Sequence, residues 1–98
     1  MVYPGPTMLW KDTMLDHPVE DQNFARLNYI NYLRGLLPQL PYAYHSAGDV
    51  NVMADSLTTD PIWVRDELER DCRCHRDCGN ETKAEVIQGV ANLVAALF

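Results

Sequence analysis

The run Cys72-Arg73-Cys74-His75-Arg76-Asp77-Cys78 holds all three cysteines and one of the three histidines of this 98-residue chain. Thiolate and imidazole are the groups that soft and borderline metals prefer, zinc above all. Three chemistries fit the run: a metal site, a redox or disulfide site, or thiols packed as small apolar groups on a helix face. With the segment helical and Cys72 set at 0°, Cys74, Cys78 and His75 fall at about 200°, 240° and 300°. They then share one arc turned toward a neighbouring helix, while Cys72 and His75 continue the seam begun by Val64 and Leu68. Cys72, Cys74, His75 and Cys78 are therefore the candidate metal ligands, with zinc as the cofactor they would hold. The spacing C-x-C-H-x-x-C departs from the usual pair of C-x2-C motifs. Missing ligands would have to come from His17, His45, an aspartate or a second chain.

Other chemistry-bearing residues are sparser. Tyr42, Tyr44, His45, Ser46 and Asp49 place hydrolase-type side chains in one loop, but no spacing brings a nucleophile, a base and an oxyanion hole together. The chain has no glycine loop suited to phosphate and no Walker-type lysine. A non-enzymatic role is the expectation.

Helices must position these residues. Pro18 suits a first helical position, Glu20 and Asp21 complement the helix dipole, and Pro38 stops the helix, so the first helix is predicted over about Pro18 to Leu37. Its apolar arc joins Val19, Ile30, Leu33, Leu36 and Leu37, with Tyr29 and Tyr32 on the edge. Asp49 is a candidate cap for a short helix over Val50 to Leu57. Asp60-Pro61 then opens a helix that runs to about Cys78 and stops at Gly79. Thr82 to Glu85 matches a capping box and opens the last helix. The short connection over Gly79 to Glu81 makes the last two helices antiparallel neighbours. The predicted fold is all-α: a single domain over residues 1–98, a bundle of three main helices plus a short one, ending in an antiparallel helical hairpin. Residues 1–17 form an irregular lead-in whose Met8, Leu9, Trp10, Met14 and Leu15 should dock on the core.

The last helix is apolar on most of its circumference, with one polar stripe of Glu81, Glu85, Gln88 and Asn92. Such a helix is either central to a core or half of an oligomer interface. Ile87, Val90, Val94, Leu97 and Phe98 are the candidate interface residues, and Val94→Asp should abolish assembly if they are.

Charge narrows the partners. A net charge of −6 argues against direct binding to a nucleic-acid backbone. It favours a basic protein partner, a homo-oligomer, or an acidic inhibitor, of viral or mobile-element kind, that covers a basic nucleic-acid-binding surface. No run of residues approaches the ~20 apolar positions of a membrane span, and Met1 to Pro6 resemble no secretory leader, so a reducing, cytoplasmic setting is expected. The leading expectation is a small acidic interaction or oligomerisation domain, stabilised by a Cys/His zinc site. A small metal- or thiol-dependent enzyme is the remaining alternative.

Overall fold

The computed structural model describes residues 19–98. The lead-in over residues 1–17 and the placement of Pro18 lie outside the described residues. Four helices follow in order: α1 (Val19–Leu36), α2 (Ala47–Thr59), α3 (Pro61–Asp77) and α4 (Glu81–Ala95), with a short 3-10 turn at Leu37–Gln39 after α1. Among the described residues there is no strand, and the fold is the all-α helical bundle expected.

Local chemistry sets the helix ends. Asp60 caps α3 by accepting the Trp63 N–H at 3.2 Å, with Pro61 in the first turn where its missing N–H costs nothing. The same helix ends in a Schellman turn: Asn80 N–H donates to His75 O at 2.7 Å and Gly79 N–H to Arg76 O at 3.0 Å. That geometry needs a left-handed residue, and Gly79 has φ +82°.

Two ends differ from expectation. α2 is longer than the eight-residue segment predicted, because Ser46 rather than Asp49 caps it. Asp49 is the third-position partner of a capping box, its carboxylate accepting the Ser46 N–H at 3.3 Å. At α4 the Thr82–Glu85 box does not form. The Schellman turn delivers the chain into the helix at Asn80, earlier than the box would require, and Asn80 makes no side-chain cap bond.

The core is a continuous set of apolar residues from all four helices. Ile30, Leu33 and Leu37 come from the first helix and the turn after it. Val50, Met53 and Leu57 come from α2, and Val64, Leu68 and Cys72 from α3. From α4 come Ile87, Val90, Ala91 and Val94, with Leu97 just beyond it. Helices α3 and α4 pack along their lengths as the antiparallel hairpin, with Ala84 fully buried at the close approach. Burial of side chains this size contributes about 1.5–3 kcal/mol each, before the entropy of ordering them.

This packing corrects the interface assignment. Ile87 and Val94 have no exposed surface and Val90 and Leu97 are only 7% exposed, so all four face the chain's own core. The apolar girth of α4 is used because α1 and α3 cover adjoining sides of it. Of the five candidates only Phe98 stays on the surface, where the Arg65 guanidinium lies 5.0 Å from its ring centroid.

Candidate functional site

The most concentrated polar chemistry lies where the loop between the 3-10 turn and α2 crosses α3. Glu67, Asp71 and His75 stand at i, i+4 and i+8 on α3 and form one stripe along it. The loop lies on that stripe. Asp71 is fully buried, and its Oδ1 accepts the Tyr44 N–H at 2.9 Å and the Ala43 N–H at 3.2 Å. Its other oxygen, Oδ2, is 3.1 Å from His45 Nε2, which is also 3.6 Å from Glu67 Oε2. The contact is off the hydrogen-bond line, so neither Nε2 nor Oδ2 makes an aligned hydrogen bond. At the far end of the stripe the His75 ring nitrogen Nε2 bonds the Pro41 carbonyl. Four successive residues from Ala43 to Ser46 are thus pinned by one helix face and the α2 cap.

Aromatic residues close the site. The Tyr42 ring meets His45 edge-on, with centroids 5.4 Å apart. Burial, and then the nearby Asp71 charge, pushes the Tyr42 hydroxyl above its ordinary range, so it stays protonated. The neighbouring Cys74 thiol raises the pKa of the Tyr44 hydroxyl as well. Tyr44, His45, Asp49, Trp63, Glu67 and Arg70 line a shallow cleft beside the loop.

The arrangement orients an imidazole against carboxylates but supplies no nucleophile. The Ser46 hydroxyl is held by Asp49 at 3.2 Å, and no hydroxyl or thiol among the described residues is hydrogen-bonded to His45 or His75. As it stands the site is a latch that fixes the loop.

The predicted zinc ligands are spread over this same helix and do not converge. Cys72 is in the core, its thiol donating to Ala84 O at 3.3 Å, and burial raises its pKa. His75 is buried against Pro41, Cys74 is half-buried beside Tyr44, and Cys78 is exposed at the end of α3. All three cysteines are free thiols. Among the described residues no group of three or more His, Cys, Asp or Glu side chains is arranged to hold a metal ion. This donor set does not fit zinc. Of the predicted arc, His75 meets the loop at Pro41 and Cys78 is exposed, while Cys72 packs against α4 at Ala84.

Among the candidates named from the sequence, His75 stands with the cysteines and Asp71 does not figure. The signal for their real role was the i, i+4, i+8 polar stripe beside the apolar seam Val64-Leu68-Cys72.

A second feature lies on the opposite side of α4. Tyr32, Leu36 and Leu40 from the first helix and the stretch after it face Val86, Val90 and Leu93 across an open groove of about 370 Å3. Val86 is 49% exposed and Tyr32 41%. Gly89 lines the groove, and a β-carbon added there would meet nothing within 4 Å. Tyr29 ties α1 to α4 beside it, donating its hydroxyl to Leu93 O at 2.6 Å.

No protein-family model, curated protein or solved structure matches this chain. Among the described residues no helix is long and apolar enough to cross a membrane.

Proposed function

We propose that this chain is a non-enzymatic protein-interaction domain that presents the α1/α4 groove to a partner. One observation carries the reading. The groove exposes apolar side chains from two helices around a bare glycine, while the remaining apolar side of α4 is already used in the core. Large apolar side chains gathered in one concave surface are the usual mark of a binding surface. The α3 latch has a supporting role here: it fixes the loop that follows Leu40, one wall residue of the groove.

The test is site-specific crosslinking in the cell that makes the protein. A photo-reactive side chain replaces Val86 or, as a control, Arg73 on the exposed face of α3. A discrete adduct from position 86 and none from position 73 supports the reading. Equal adducts at both positions, or none, removes it.

A further inference from the structure

We infer that the α1/α4 groove takes a positively charged amphipathic helix of a partner protein. This rests on the interaction reading above and specifies its occupant.

The shape of the groove selects a helix. One wall is a helical ridge, Val86, Val90 and Leu93 on α4, and the other joins Tyr32 and Leu36 of α1 to Leu40 beyond the 3-10 turn. From Glu85 to Leu93 the wall is about two turns long at 1.5 Å per residue. Side-chain ridges of one helix pack into the grooves of another, and two antiparallel helices leave such a groove open to a third. Gly89 deepens it at mid-length. A glycine inside a helix disfavours the helix, and at this position no neighbour requires one, since a β-carbon would stand in open space. Its absence lets a partner side chain reach the backbone of α4.

Charge selects the sign of the occupant. Among the described residues Glu85 is the one charged member of the groove lining, and it is exposed with no hydrogen bond or ion pair to any of them. Arg34 of α1 is held elsewhere, donating to Ala54 O and Thr58 Oγ1 on α2 and to Asn31 Oδ1. The whole chain carries −6, so a second copy would be repelled where a basic helix would be attracted. The fitting sequence places a lysine or arginine opposite Glu85, with apolar residues three to four positions apart along Gly89 and Leu93.

The probe is a synthetic amphipathic peptide of leucine and lysine, about five turns long, with its leucine–glutamate counterpart as the control. Binding to the full chain is followed by calorimetry, and the mass of the chain alone by sedimentation. The lysine peptide is expected to bind and the glutamate peptide is not. Affinity should fall at least about tenfold in each of Glu85→Lys, Val86→Glu and Gly89→Leu. Gly89→Leu is the decisive variant: its β-carbon meets nothing within 4 Å and leucine favours the helix, so it should raise Tm while it weakens binding. Equal binding of the lysine peptide to all variants would reduce the effect to bulk charge and overturn the inference. So would no binding, or binding of both peptides alike. A parent chain that sediments as a dimer and becomes a monomer in Gly89→Leu would assign the groove to a second copy instead. If Val86 crosslinks to a partner in cells and the lysine peptide still fails, the basic helix is wrong and the interaction reading survives.

Discussion

Asp71 and His45, on separate elements, meet with Oδ2 of the one 3.1 Å from Nε2 of the other. The Asp71 side chain has no exposed surface and His45 keeps only 9% of its side-chain area. A buried carboxylate is tolerated only when its lone pairs are occupied, and the two backbone N–H groups on Oδ1 supply that compensation. The aspartate therefore belongs to the loop as much as to its own helix.

Removing it should be costly. Asp71→Ala leaves two N–H groups without their acceptor and the imidazole without its neighbouring carboxylate, and is expected to destabilise the fold by about 3 kcal/mol. Asp71→Asn keeps an acceptor for the N–H pair and should cost roughly half as much. Urea denaturation measures both, and amide exchange at Ala43 and Tyr44 should quicken in step. An alanine variant as stable as the parent would mean that the latch contributes nothing.

Thiol reactivity should rank by position on α3. Cys78 is exposed, Cys74 is half-buried and Cys72 is in the core with its pKa raised by burial. Alkylation followed by mass spectrometry should label Cys78 first, Cys74 next, and Cys72 only at the rate of unfolding. Early labelling of Cys72 would contradict the packing of α3 on α4.

Alkaline pH should loosen the contact between α1 and α4. Burial, and to a lesser degree Tyr32, pushes the Tyr29 hydroxyl from its ordinary value of 10.0 up to about 12. A pKa raised in the folded state favours the neutral phenol there. The linked stability is fully present below pH 10 and is lost as pH rises toward 12. Thermal melts from pH 9 to 12 should show a steeper fall for the parent than for Tyr29→Phe. Identical slopes would remove Tyr29 as the titrating group.

Two glycines should respond to alanine with opposite sign. Gly79 has φ +82°, where a β-carbon is strained, so Gly79→Ala should cost about 1 kcal/mol. Gly89 is an ordinary helical residue with open space beside it, so Gly89→Ala should add about 0.5–1 kcal/mol. Midpoints of chemical denaturation decide both, and a destabilised Gly89→Ala would show that the groove is not open in the free chain.

Neighbouring residues on α4 should separate core from surface. Ile87 is fully buried and Val86 is 49% exposed. Ile87→Asp places an unpaired charge in the core and should unfold the chain, a loss of more than about 4 kcal/mol. Val86→Glu should change stability by less than about 1 kcal/mol. Circular dichroism with thermal melts tells them apart. Val94→Asp belongs with Ile87→Asp, so a loss of assembly in that variant would report unfolding.

The number and order of the helices, and both ends of α3, could be read along the chain because each depends on a few adjacent residues. Asp60 and Pro61 start α3 whatever surrounds them, and Gly79 ends it because only glycine takes the left-handed turn freely. The seam Val64-Leu68-Cys72 was likewise visible as a period. What each helix face touches was not visible, because a period identifies a face and not its neighbour. The burial of Asp71 does not show in one dimension, and Glu67, Asp71 and His75 become a latch only because a loop distant in sequence is laid across them. The apolar girth of α4 likewise reads as core or interface alike. Packing against α1 and α3 assigned Ile87, Val90 and Val94 to the interior and left Val86 and Gly89 outside, since burial depends on which elements fold back over a surface.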